Sequence, residues 1–214
     1  MIAKIVIGPY LNRLDNIIQW QEKDVFKRES VSQHSYKVFV FSRILLEDIF
    51  GKNDSKELTE YKLRCVTLSG FHDWDEAILL RDLSHEIKYN SHNGDELRKV
   101  LNDYSSFEAS EEFNENGKKT PCYEMLMNCI SPKDSGVKLF CKFCDWLALL
   151  FFIRRENSIG NHSLDEQWNL CLKSLSDLVR PLRIELTSRF PEFELNFDII
   201  NDLLNELEIK WKRN

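Results

Sequence analysis

Glycine and proline are scarce in this 214-residue chain, with seven and five respectively. That leaves no glycine-rich loop of the kind that cradles phosphates through backbone N–H groups, and few forced turns. No stretch alternates apolar and polar residues clearly enough to read as a strand, so the periodicity is helical throughout. Long apolar runs are also missing. The most apolar, Trp146–Ile153, is bracketed by Asp145 and Arg154 and falls far short of the roughly 20 residues a membrane-spanning helix needs. Positive charge is in deficit: 29 Lys and Arg stand against 35 Asp and Glu, a net charge of −6. That excludes a broad surface for nucleic acid or anionic membrane, although a single bound divalent cation would still admit a small phosphate ligand. Met1–Tyr10 holds only Ile5, Val6 and Ile7 before Gly8-Pro9, so no signal peptide is expected. The six cysteines then read as reduced thiols of a cytoplasmic protein. Cys141 and Cys144 form one C-x-x-C without a second ligand pair, a spacing that serves helix packing better than zinc.

What is present is a succession of amphipathic helices. Met1–Ile7 reads as an extended start ended by Gly8-Pro9. Tyr10–Gln21 is expected to be helical through Leu11, Leu14, Ile17 and Ile18, and Glu22–Glu29 to be a charged connection. Ser30 or Ser32 can cap a helix whose body is Tyr36–Phe50, with Val38, Phe41, Leu45 and Ile49 as its stripe. His34 falls in the first turn. Leu58–Ser69 presents Tyr61, Cys65 and Leu68 on one face. Gly70 then loosens the chain before a helix over His72–Leu80, continuous or resumed after a kink. Asp95–Tyr104 and Pro121–Cys129 read as helices, and Ser105–Thr120 as a loop. Gly136–Arg155 is apolar around most of its circumference, through Val137, Phe140, Cys144, Leu147, Leu150 and Phe151, and marks a core helix. Leu164–Pro191 is helical with a kink or break at Pro181, and Leu195–Lys212 closes the chain as an amphipathic helix. No repeat or domain boundary interrupts the series, so residues 1–214 read as a single all-α domain.

The chemistry concentrates in Phe71-His72-Asp73-Trp74-Asp75-Glu76. On a helix, His72, Asp73 and Glu76 share one side. Asp145 lies inside the most apolar helix, where an unpaired carboxylate is costly. It must be paired, with Lys142 or a base on another helix, or must hold a cation. His34, at the start of a buried helix, either hydrogen-bonds locally or binds metal. Two imidazoles with two carboxylates make a mixed nitrogen and oxygen set suited to one borderline divalent ion such as Mn, Co, Fe, Ni or Zn, with Mg disfavoured.

The order His34, His72-Asp73, Asp145 resembles the HD-domain metal-dependent phosphohydrolases, and most of all their 5′-deoxynucleotidase-like branch. Glu29-Ser30-Val31-Ser32-Gln33-His34-Ser35 resembles that branch's E-N-V-x-E-H-S segment. His72-Asp73-Trp74-Asp75-Glu76 resembles its H-D-x-x-E. Asp82-Leu83 with Ile87-Lys88-Tyr89 resembles the segment that follows, and Lys142–Leu147 the late helix with the last Asp. The resemblance covers about residues 13–155 and leaves 156–214 as a C-terminal helical extension.

The resemblance implies an HD-domain helical bundle with one divalent metal at its centre, held by His34, His72, Asp73 and Asp145. It implies Glu76 and Asp82 as the catalytic carboxylates. Trp20 takes the place of a residue near the sugar. Gln19 stands where the branch carries an Arg on the phosphate, so Lys27, Arg28, Arg81 or Lys88 is expected to supply the cation. Lys88 and Gln19 join Trp20 as substrate-binding candidates. His72 to Asp82 is one residue longer than in the branch, and Ser84-His85 replaces its Pro-Thr. The implied reaction is hydrolysis of deoxynucleoside 5′-monophosphates to deoxynucleoside and phosphate. Two alternatives stand beside it: a deoxynucleoside triphosphate triphosphohydrolase on the same fold, and a non-catalytic nucleotide-binding protein. The implied partners are a nucleotide substrate and a second copy in a homodimer, for which Leu164–Lys212 offers a surface.

Overall fold

The computed structural model describes residues 7–21, 23–79 and 133–211, together with 96, 99, 100, 103, 114, 115, 118 and 119. The all-α expectation is met: in chain order, α1 is Ile7–Asn16, α2 Val31–Phe50, α3 Lys56–Phe71, α4 Trp74–Leu79, α5 Ser135–Ser158, α6 Asp165–Arg189 and α7 Asp198–Trp211. The exception is a two-residue antiparallel ladder, β1 Asn114–Glu115 with β2 Lys118–Lys119, inside the stretch read as a loop. Glu96, Lys99, Val100 and Asp103 are helical, whereas Pro121–Cys129 lies outside the described residues. No described helix is long and apolar enough to cross a membrane.

The chain forms two compact units that alternate along the sequence. The first takes Met1–Glu22, Arg28–Ser35 and Phe71–Lys133; the second takes Lys23–Lys27, Tyr36–Gly70 and Asp134–Asn214.

In the first unit, α1 packs on α4 around Leu14, Ile17, Val31, Trp74 and Ala77, all buried. The helix expected over Tyr10–Gln21 is displaced. Gly8-Pro9 opens α1 instead of preceding it, because a proline in the first turn lacks only an N–H that has no helical acceptor there. The helix stops at Asn16 because the next residues find other partners. Val31 N donates to Ile17 O at 2.8 Å and Gln19 N to Glu29 O at 2.8 Å, around a bridge between Ile18 and Ser30. Ile17 keeps its place in the core without being helical.

Helix α2 starts at a reciprocal cap. Ser30 Oγ accepts from Gln33 N at 3.3 Å, and Gln33 Oε1 accepts from Ser30 N at 3.1 Å, which satisfies two backbone donors at once. Ser32 Oγ hydrogen-bonds the Asp15 carboxylate and so ties this turn to α1.

In the second unit, α5 packs along α6. Val38, Leu45 and Ile49 of α2, Tyr61, Cys65 and Leu68 of α3, and Phe140, Cys144, Leu147 and Leu150 of α5 are buried as their spacing required. Phe41 and Phe151 meet with ring centroids 4.9 Å apart. Phe50 and Tyr61 both set edges against Phe190, at 5.3 and 5.4 Å. Asp134 caps α5 by accepting from Gly136 N and Val137 N.

Gly70 does not loosen the chain; it is the penultimate residue of α3 and lies against Phe39. Nor does Pro181 break its helix, because α6 runs through it. Cys65, Cys141, Cys144 and Cys171 are buried and form no disulfide, and burial pushes the thiols of Cys65, Cys144 and Cys171 up, the last to about 12.

Candidate active site

The His72-Asp73 pair is not helical. α3 ends at Phe71, the pair forms a turn, and α4 begins at Trp74. The turn closes with Glu76 N donating to Asp73 O at 3.1 Å. Trp74, 2% exposed, anchors it beside Phe71. His72, Asp73 and Glu76 are therefore grouped by a partly buried turn and not by one helical face. Asp75 and Glu76 occupy the first turn of α4, where the N-terminal dipole favours carboxylates. Glu76 is buried.

His34, one turn into α2, is 1% exposed. Its ring centroid lies 5.4 Å from that of His72, with the planes inclined at 59°. His72 Nε2 is 3.0 Å from Asp73 Oδ2, and His34 Nδ1 is 3.8 Å from Glu29 Oε1. The first unit thus gathers a buried imidazole, His34, and a partly buried one, His72, each with a carboxylate close by, a donor set of the mixed kind that borderline divalent ions prefer.

Trp20 directly follows the Ile17–Gln19 segment that pairs with Glu29–Val31. It has φ of 60°, the left-handed region that a bulky residue rarely adopts. Such strain persists only where neighbours hold it, and it collects at ligand sites. Gln19 is 7% exposed, and its buried Oε1 has no hydrogen-bond partner among the described residues. It carries no charge to offer a phosphate. Lys27 and Arg28 are exposed.

Asp145 belongs to the second unit. It is buried in α5, and its Oδ2 accepts from Lys142 Nζ at 2.6 Å, one turn away. Lys142 also lies over the Trp146 ring, 4.7 Å from its centre. Asp82 and Lys88, with Arg81 and His85, lie outside the described residues.

Glu29 carried no role on sequence grounds. Its burial, at 1% exposed, comes from the bridge that pairs its backbone with Gln19. The available signal was its place immediately before the cap of the helix that bears His34.

The profile of the family 5′-deoxynucleotidase YfbR-like matches residues 8–186. No curated protein matches the chain. Among solved structures, a conserved hypothetical protein from Pyrococcus furiosus superposes with a TM-score of 0.60 at 20% identity, over 93% of this chain and 95% of that one. An HD-domain phosphohydrolase from Listeria innocua superposes at 0.59 and 18% identity, over 94% and 96%. At such identities these likenesses speak to the fold, which is the helical HD-domain fold.

Proposed function

From the premise that the chain belongs to the 5′-deoxynucleotidase YfbR-like family and is a hydrolase of the HD-domain kind, we propose that it hydrolyses deoxynucleoside 5′-monophosphates to deoxynucleoside and phosphate. The coarser statement, a phosphohydrolase acting on nucleotides, follows from the family. The observation that carries the finer reading is the His34–His72 pair, buried at His34 and partly buried at His72, with Asp73 and Glu29 beside it. In this reading His34, His72, Asp73 and Asp145 are the ligands of one ion. The donor chemistry fits Mn, Co, Fe, Ni or Zn better than Mg. Such an ion, when bound, supplies positive charge to the phosphoryl oxygens and acidifies a water.

In this reading, the chain's own groups do the rest. Glu76, buried beside the turn, takes the proton of the attacking water. Water adds at phosphorus and the nucleoside 5′-oxygen leaves with a proton. Asp82 assists at the water, while Trp20, Gln19 and Lys88 hold the sugar and phosphate. Burial of His34 and Glu76 keeps their charges from bulk water, where interactions are weaker.

The test is a panel of nucleoside mono- and triphosphates with Mn, Co, Mg or Zn, run on the protein and on Asp73→Ala. Metal-dependent release of inorganic phosphate from deoxynucleoside monophosphates, abolished in the variant, is the expected result. Release of triphosphate would move the cleaved bond. Stoichiometric metal with no turnover on any nucleotide would overturn the hydrolase reading in favour of binding alone.

A further inference from the structure

We propose that Glu29 is a positioning residue for His34, acting on the metal-binding nitrogen through the imidazole. The inference rests on the metal reading above and adds a residue to which that reading gives no part. Both side chains are 1% exposed, and Glu29 Oε1 lies 3.8 Å from His34 Nδ1. A side-chain adjustment of about 1 Å brings the two within hydrogen-bond range.

Neither group is free to drift. The Glu29 carbonyl accepts from Gln19 N at 2.8 Å, the next residue forms the bridge with Ile18, and His34 N donates to Ser30 O at 3.0 Å.

A neutral imidazole has one N–H and one lone pair. With the proton on Nδ1, directed at Glu29, the lone pair is fixed on Nε2. Nε2 is then the ligand atom, and the carboxylate both holds the ring and raises its basicity. Carboxylates that act this way on metal-binding imidazoles typically contribute about 10- to 100-fold in metal affinity. As a positioning residue, Glu29 acts on metal loading and ring orientation.

The test compares wild type, Glu29→Gln and Glu29→Asp in the metal-free state and on titration with Zn(II) and Co(II). Isothermal titration gives affinity, and the visible Co(II) spectrum reports the ligand field. Glu29→Gln keeps the size and loses the charge. It is expected to bind Zn(II) about 10- to 100-fold more weakly, with an altered Co(II) spectrum and a smaller metal-induced rise in melting temperature. Glu29→Asp keeps the charge and lengthens the gap, and is expected to fall between the two.

Unchanged affinity and an unchanged Co(II) spectrum in a folded Glu29→Gln protein would overturn the proposal, even if the metal-free melting temperature dropped. Should Glu29→Gln fail to fold, wild-type affinity in Glu29→Asp would overturn it equally. If wild type itself takes up no metal, the metal reading fails; normal uptake by every variant sinks only the role of Glu29.

Discussion

Arg189 and Asp134 meet as a two-pronged pair, with Nη1 donating to Oδ1 at 2.8 Å and Nη2 to Oδ2 at 2.7 Å. The same carboxylate caps α5, and the guanidinium lies over the Tyr61 ring, 4.8 Å from its centre. One contact thus joins the last turn of α6, the first turn of α5 and the inward face of α3.

The Arg189 hydrogen bonds hold the Asp134 carboxyl below its ordinary range. Unfolded, that carboxyl titrates near pH 4. The pair therefore contributes its full stability above about pH 4 and loses it as pH falls through the lower folded value. Asp134→Ala, which removes both cap and pair, is expected to cost about 2 kcal/mol at neutral pH. Urea titrations at pH 7 and pH 3 check this: the gap between wild type and variant should be wide at the first and narrow at the second.

Glu156 is fully buried, and its carboxylate receives Phe26 N at 2.6 Å, Lys27 N at 3.0 Å and Asn161 Nδ2 at 2.9 Å. Asn161 and Ser163 in turn donate to Asp24 O. The Lys23–Lys27 segment is thereby fastened to the end of α5. Glu156→Ala strands these donors and should destabilise by about 3 kcal/mol, with faster amide exchange at Phe26 and Lys27 as the local readout.

Trp20 gives a separable test of strain and binding. A glycine at φ of 60° relieves about 1 kcal/mol of backbone cost, which partly offsets the packing that Trp20→Gly removes. The melting temperature should therefore move little while KM for the nucleotide rises. Equal KM in wild type and variant would remove Trp20 from the substrate site.

Gln19 tests the uncharged pocket. Its orphaned oxygen is a cost in the free protein, so Gln19→Leu should be neutral or stabilising by about 1 kcal/mol in the absence of ligand. If the amide meets the substrate, the same variant raises KM and leaves kcat nearly unchanged. Thermal melts and steady-state kinetics on one preparation distinguish these effects.

Much of this fold was legible in the sequence because burial and helical period agree in α2, α3 and α5. Val38, Leu45 and Ile49 could be placed without coordinates. Periodicity misled at Ile17 and Ile18, where apolar spacing continues after the helix has given way to backbone pairing with the Glu29–Val31 segment. It misled again at His72-Asp73, where a turn between α3 and α4 keeps the two residues partly buried, as a helix would. Gly70 and Pro181 are both helical because their neighbours supply the packing that intrinsic preference withholds. For the site, residue type was enough to single out His34 and His72. Glu29 was not legible, because its burial depends on a backbone bridge to a segment ten residues earlier.

The depth of the cysteines has a practical side. A thiol reacts as its thiolate; Cys65, Cys141, Cys144 and Cys171 are buried, and burial pushes the thiols of Cys65, Cys144 and Cys171 up. Only Cys122 and Cys129 stand outside that protected set. Ellman's reagent should label at most two sulfurs in the native protein and six after guanidinium is added. Reducing agents, which compete for transition ions, can then be left out of every metal titration.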